Sequence, residues 1–164
     1  MALMGSNLVM YEEEFDRINS ILGRLWVDAN AKIVFLVDKN GQQIAAKGDL
    51  ERVDATSLAS LTAGNVAATD GLARLIGEKE FSILFHEGEK DNIHISIVAQ
   101  RLILVVIFDE RSSLGLVRLR VRKSAAELEE VLSQMATKAA QEGQAQASPF
   151  AEITDEDIDA LFSE

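Results

Sequence analysis

Few residues in this sequence are of types that do chemistry, and they form no catalytic set. The chain has two histidines and no cysteine, which excludes a thiol nucleophile and a thiolate metal site. His86 stands near the end of a predicted strand and His94 within another, where an ordinary surface or edge residue is commoner than an acid–base group. The motifs GxxxxGKS/T, GxGxxG and HExxH are absent. We therefore predict a non-enzyme with no catalytic residue, no metal and no cofactor.

The charge balance limits the partners. The formal net charge is −11, from 27 acidic and 16 basic residues. Nucleic acid is therefore not expected as a partner, because its recognition needs a basic surface. No apolar run approaches the roughly 20 residues that cross a bilayer, and the N-terminus lacks the basic start and long apolar run of a signal peptide. We predict a cytoplasmic protein without membrane insertion.

The C-terminal segment combines charge with large apolar residues. From Pro149 to Glu164 there are six acidic residues and no basic one. Thr154 can cap a short helix, with Asp157 at the position of the acid in a capping box. Ile158, Leu161 and Phe162 share one side of this helix, which favours docking into a groove with basic surroundings over a purely solubilising role. The predicted docking residues are Phe150, Ile153, Ile158, Leu161 and Phe162.

Periodicity predicts the elements that position these residues. Apolar residues at steps of four and three from Tyr11 to Leu25 predict a first helix, with the solvated acidic run Glu12–Glu14 in its first turn. The stretches AKIVFLV, DKNG and QQIAAKG predict a hairpin that turns at Asn40-Gly41. Three strands follow in FSILFHEGEKDNIHISIVAQRLILVVIF. The continuously apolar run 102–108 indicates a central strand, whereas His94 and Ser96 alternate with isoleucines and indicate a strand with one wetter face.

The last predicted element is a helix. Alternation in LGLVRLRVR fits a strand, but apolar steps of three and four continue to Met135, and we predict one helix from about Leu114 to Ala140. The order αββαβββα predicts an α+β fold, with a five-stranded, mainly antiparallel sheet and helices on both faces. We expect an N-terminal segment at 1–10 (with Met4 an alternative start), a domain at 11–142, a linker at 143–149 and the tail helix at 150–164.

The second predicted helix, within SLASLTAGNVAATDGLARLIGE, has small residues where a surface helix carries charges. At 100° per residue, one side collects Leu58, Leu61, Leu72, Leu75 and Ile76, and we expect it to pack on the sheet. The other side carries Ser60, Ala63, Gly64, Ala67, Asp70, Gly71 and Arg74. Each internal glycine costs a helix about 1 kcal/mol relative to alanine. We predict an interface here, while burial in a larger domain and a plain alanine-rich surface are the alternatives.

Four features together resemble the MglB-type members of the Roadblock (dynein light chain-type) family. They are the element order, the helix SLTAGNVAATDGLARLIGE, the segment LVVIFDERSSLGLVRLR and the tail SPFAEITDEDIDALFSE, and they cover nearly the whole chain from about Met4. The resemblance implies a homodimer whose sheets join edge to edge through the third strand, at Phe81–Phe85, with the two second helices packed together. It assigns the dimer interface to Ser60, Gly64, Gly71, Phe81, Ile83 and Phe85.

The resemblance also implies a function. MglB-type dimers act on a Ras-like GTPase of the MglA type, two copies per GTPase, and accelerate GTP hydrolysis without an arginine finger, in cell polarity and gliding motility. The protein would then concentrate at a cell pole, and its tail would tune affinity or nucleotide exchange. The positions carried over to the GTPase-binding face are Ala63, Ala67, Asp70, Gly71 and Arg74. The alternative is a passive Roadblock scaffold dimer that leaves GTP turnover unchanged.

Overall fold

An antiparallel sheet separates two unequal helical layers. A computed structural model describes the backbone of residues 3–5 and 8–151 and the side chains of residues 10–142. The elements in chain order are β1 (Leu3–Gly5), β2 (Leu8–Met10), α1 (Glu12–Asp28), β3 (Ile33–Asp38), β4 (Gln43–Gly48), α2 (Ala55–Leu75), β5 (Ile83–Glu87), β6 (Asn92–Val98), β7 (Leu102–Phe108) and α3 (Leu114–Ala151). The main sheet has the order β4-β3-β7-β6-β5 with every pair antiparallel. The predicted αββαβββα order and the central β7 are confirmed; the β1–β2 hairpin was not predicted.

The helices α1 and α3 cover one face of the sheet with large aliphatic side chains. The predicted stripe of α1 is confirmed, because Ile18, Leu22 and Leu25 are buried. They pack with the inward residues of α3, which include Leu128 and Met135, and with every second residue of the central strands. Across the helix pair, Arg24 and Glu127 form an ion pair at 2.6 Å. This layer is closed within the single chain.

The acidic first turn of α1 is only partly solvated. Glu12 and Glu13 are exposed, but Glu14 is buried and lies 3.5 Å from the Lys138 Nζ atom. The prediction of a wholly solvated helix start was therefore wrong at Glu14. The reason is that α3 runs antiparallel to α1 and brings Lys138 over its first turn, so this carboxylate ties the two helices together.

The helix α3 is longer than predicted. Its residues 114–122 are helical, as the steps of three and four indicate, and it continues to Ala151 through 143–149, where we predicted a linker. Alanine, glutamine and glutamate dominate this stretch, and all three favour helix by intrinsic propensity. The last side chain of α3 in the apolar core is Met135, and beyond it Lys138 and Glu142 still contact Glu14 and Tyr11 at the start of α1.

The strand β6 has no wet face. His94 and Ser96 are 1% and 6% exposed because they lie on the side of the sheet that α1 and α3 cover, so the predicted wetter face was wrong. Burial lowers the pKa of His94, and the positive charge of Arg118 lowers it further. The turn from β6 into β7 is also unusual, since both its residues, Ala99 and Gln100, have positive φ, at 53° and 60°. Two-residue hairpin turns of this type favour asparagine and glycine.

Candidate interaction surface on the second helix

The helix α2 begins and ends at well-formed caps. Asp54 accepts hydrogen bonds from the Ser57 backbone N–H at 3.1 Å and from the Ser57 hydroxyl at 2.7 Å. These bonds hold the pKa of the Asp54 carboxyl below its usual range. At the other end, Gly77 adopts a φ of +82° and the Glu78 N–H donates to the Ala73 carbonyl at 2.8 Å. The caps fix which residues are helical and therefore which sides of α2 face the sheet and the solvent.

The inward side of α2 is made of small residues. Ala59, Ala63, Val66 and Ala73 are buried, and the first three pack on the sheet face formed by residues such as Phe35 and Val105. The large side chains point outward instead, with exposed fractions of 73% for Leu61, 60% for Leu72, 84% for Leu75 and 69% for Ile76. The expectation that these four pack on the sheet was wrong; of that group only Leu58 packs against this core.

The physical reason lies in the sheet. Its α2-facing side already presents large side chains, namely Ile33, Phe35, Val37, Ile95, Ile103, Val105 and Ile107. A helix that meets such a surface packs closely with alanines between the large side chains, whereas leucines would hold it away. The outward leucines of α2 therefore do not contribute to packing against the sheet.

These outward residues form one continuous stripe. We use the name outer stripe for Leu61, Gly64, Ala68, Gly71, Leu72 and Leu75, all exposed. Positions 61, 64, 68, 71 and 75 follow steps of three and four, the spacing of a helix–helix seam. The alternation of leucines with glycines and alanine gives knobs next to shallow gaps. This spacing was legible in the sequence and is the signal that could have located the stripe.

The two glycines of the stripe serve no contact inside the protomer. A Cβ atom added at Gly64 or Gly71 would meet nothing within 4 Å. In contrast, Gly41 in the β3–β4 turn has a φ of +89°, and its added Cβ would lie 3.2 Å from the Ser60 Cα. The close approach of that turn to α2 explains Gly41, but nothing in the described part of the chain explains the glycines of the outer stripe.

The residues carried over to the GTPase face lie in three places, and one of them, Gly71, belongs to the outer stripe. Ala63 is 8% exposed and packs on the sheet, so its expected outward position was wrong. Ala67 and Arg74 are exposed and Asp70 is half-exposed, and they lie together along one flank of the outer stripe. Asp70 and Arg74 border an open cleft. Its other lining residues are Lys39, Lys79, Glu80 and Gln100.

The opposite flank of the outer stripe faces the sheet edge. Asn65 on α2 and His86 on β5 approach to 2.9 Å between their side-chain nitrogens Nδ2 and Nε2, which places Leu61 and Leu72 on the β5 side of the helix. The strand β5 is an edge of the sheet, as expected, although it begins at Ile83 rather than at Phe81. The outer stripe and the free strand edge therefore belong to one side of the molecule.

The three predicted edge residues are not equivalent. Ile83 is 51% exposed. Phe85 is half-buried, with its ring stacked on Phe108 at a centroid distance of 6.2 Å, and it supports the core beneath the edge. Phe81 is half-buried and precedes the strand. Only Ile83 presents most of its side chain to an incoming partner.

Within the described residues, the arrangement offers surfaces rather than reaction chemistry. The structure contains no group of three histidine, aspartate or glutamate side chains placed to hold a metal ion, and no helix there is long and apolar enough to cross a membrane. The predicted tail residues are outside the described part, since it includes no side chain of Phe150 and nothing beyond Ala151.

Comparison with known proteins gives this surface its context. Residues 18–108 match the model of the Roadblock/LC7 domain. MglB of Myxococcus xanthus is 61% identical, with a TM-score of 0.74 over 78% of this chain and 96% of that one. The gliding protein MglB of Thermus thermophilus is 30% identical, with a TM-score of 0.73 over 80% and 99% of the two chains. An MglB with a tetrameric arrangement matches with the same values. No protein among the curated ones matches. The chain belongs to the Roadblock/LC7 family, in its MglB branch.

Proposed function

We propose that this protein is a homodimeric activator of a Ras-like GTPase of the MglA type, acting in cell polarity and gliding motility from the cytoplasm at a cell pole. The observation that carries the proposal is the exposed outer stripe of α2, in a chain that is 61% identical to an MglB. Large leucines exposed beside glycines are costly in a lone protomer, so a partner surface is needed to cover them.

The dimer would use the side of the molecule that holds both the stripe and the free edge. The β5 strands of two copies pair across their edges, which satisfies the unpaired backbone groups of an edge strand. The two α2 helices then meet along their outer stripes, with Leu61 and Leu72 filling the gaps at Gly64 and Gly71 of the partner helix. Ile83 lies at the joint between the sheets.

The GTPase would bind the remaining flank of α2. Asp70 and Arg74 border the open cleft, with Lys39 and Lys79 supplying further charge, and the exposed Ala67 lies on the same flank. The flank combines a small side chain, which permits close approach, with charged groups, which fix orientation. Two copies of the chain present two such flanks to one GTPase.

Activation by such a platform does not need a catalytic side chain. Hydrolysis of GTP requires an arginine and a water-positioning group in line with the γ-phosphate. A rigid dimer that binds only the switch arrangement meeting this requirement shifts the GTPase population towards it. Arg74 is the only arginine of α2, and its role in this scheme is to orient the GTPase rather than to enter the nucleotide site.

The direct test is GTP turnover by the cognate MglA-type GTPase, with and without this protein and with a blank of this protein alone. We expect stimulation that requires both proteins. Ala67→Arg should abolish it, because a long charged side chain holds the GTPase away from α2. Ala136→Arg is the matched control, an exposed alanine of α3 given the same side chain, and should stimulate normally.

Two results would redirect the proposal. Binding in both nucleotide states with unchanged turnover would identify a scaffold instead of an activator. Normal stimulation by the Ala67→Arg protein would show that the GTPase does not use this flank. The tail is tested separately, since deletion of residues 149–164 should alter GTPase affinity or nucleotide exchange while leaving the dimer intact.

A further inference from the structure

The first half of α3 carries a concentration of positive charge in an otherwise acidic protein. Residues 114–126 contain four of the chain's 16 basic residues and no acidic one. Three of the four, Arg118, Arg122 and Lys123, are exposed, and Leu119 between them is 60% exposed. We name these four residues the α3 basic face. They share one side of the helix, opposite the buried Val117 and Val121.

The basic residues of this face form no ion pair within the described part of the protein. Arg118, Arg122 and Lys123 have no carboxylate within ion-pair distance among the residues whose side chains are described, whereas the nearby Glu127 is engaged by Arg24 at 2.6 Å. Arg118 and Arg122 are one helical turn apart, so their positive charges repel each other. The first turn of α3 also lacks the acidic residues that α1 has in its first turn.

The same chain contains a segment of complementary sequence. The segment 149–164 has six acidic residues and no basic one, and its large apolar residues Ile158, Leu161 and Phe162 would share one side of the predicted tail helix. A cationic face with one exposed leucine at its centre matches an acidic helix with a short apolar side in both charge and hydrophobicity.

The geometry decides which copy of the tail could reach the face. The helix α3 continues to Ala151, so its end lies roughly 40 Å beyond Arg122 at about 1.5 Å per residue. Residues 152–158 span at most about 25 Å when fully extended. The tail of a protomer therefore cannot return to the basic face of its own α3, so a tail that docks there comes from another copy.

We propose that the acidic tail of one copy docks on the α3 basic face of another, with Leu119 against the apolar side of the tail helix and Arg118, Arg122 and Lys123 against its carboxylates. This contact uses neither the outer stripe of α2 nor the flank of Ala67 and Arg74. When the other copy belongs to a second dimer, the contact links dimers into larger assemblies without blocking the surface assigned to the GTPase. An anionic membrane is the poorer match, because the net charge of −11 repels it.

The test is binding of a fluorescently labelled peptide of residues 149–164 to the full-length protein, measured by anisotropy. Arg122→Glu with Lys123→Glu should weaken binding about tenfold or more. Lys90→Glu with Arg101→Glu is the control, since both residues are exposed and the net charge changes equally. Leu119→Ser should also weaken binding, whereas Val27→Ser, at a similarly exposed apolar residue of α1, should not.

A charge exchange provides the sharpest result. A peptide with Asp155→Lys and Asp157→Lys should recover affinity for the protein carrying Arg122→Glu and Lys123→Glu. In sedimentation velocity, the same protein variant should lose concentration-dependent assembly beyond the dimer. Equal peptide affinity for the basic-face and control variants would overturn the proposal. So would binding to phosphatidylglycerol vesicles that the basic-face substitutions abolish while peptide binding is unchanged.

Discussion

The two faces of the sheet differ in how far a single chain completes them. On one face, α1 and α3 bury large aliphatic side chains and are tied together by Arg24–Glu127 and Glu14–Lys138. On the other, α2 packs mainly with alanines and one valine, and three of its four leucines remain outside. The α1/α3 layer therefore buries its large apolar side chains within the protomer, whereas the outer surface of the α2 layer remains apolar.

The two layers therefore obtain their stability from different sources. The α1/α3 layer depends on burial within the protomer, at about 25 cal/mol for each Å² of apolar surface removed from water. The α2 layer buries less apolar surface inside the protomer. The outer stripe adds to stability only when a partner covers it. Substitutions on the two faces should therefore respond differently to protein concentration.

The largest expected effect is on the closed face. Leu128→Ala removes a fully buried side chain from the α1/α3 core and should lower the free energy of unfolding by about 2–5 kcal/mol at any protein concentration. Leu72→Ala should matter only when the dimer forms, so its effect should shrink on dilution. Urea denaturation over a range of protein concentrations measures both. A concentration-independent loss for Leu72→Ala would break the comparison.

A smaller effect, of opposite sign in two assays, is expected at the glycines. Gly64→Ala should stabilise the helix by about 0.5–1 kcal/mol, since the added methyl group meets nothing within 4 Å in the protomer. The same methyl group should weaken the dimer if two α2 helices approach closely there. Gly115→Ala in α3, also in open space, should stabilise the protomer without touching the dimer. Analytical ultracentrifugation beside thermal unfolding separates the two outcomes.

The smallest expected effect is on the pH dependence of stability, through His94 on the sheet face that α1 and α3 cover. The pKa of His94 is lowered from 6.5, mainly by burial, so at acid pH the unfolded chain binds a proton that the folded chain does not. Stability should therefore fall as the pH drops below about 6.5, and His94→Phe should flatten that slope. Asp54 and Asp109 have pKa values lowered from 3.8, so the stability that these carboxylates contribute is lost only at more acidic pH. A slope unchanged in His94→Phe would contradict the assignment.

Local patterns predicted most of the fold, and its tertiary packing explains the errors. The α1 stripe, the Asn40-Gly41 hairpin and the central β7 follow from periodicity and turn chemistry, which are short-range. The α2 orientation failed because a helical wheel identifies an apolar side but not whether the sheet or a second chain covers it. Likewise, His94 was placed on a wet face because alternation in β6 does not reveal that α3 covers it. The GTPase-face assignment rests on the resemblance and the tail docking on the residue pattern of the tail, and both stay predictions.

The β6–β7 turn carries a consequence for heat resistance. Ala99 and Gln100 both adopt the left-handed conformation, which costs a residue with a Cβ atom about 1 kcal/mol or more. Gln100 lines the cleft beside Asp70 and Arg74. Backbone strain of this kind is often retained at sites of interaction. Replacing the pair with asparagine and glycine should relieve the strain and raise the thermal midpoint by roughly 2–4 °C per kcal/mol gained. If this variant has a higher thermal midpoint but stimulates the GTPase less, the left-handed turn lowers thermal stability while maintaining the shape of the cleft.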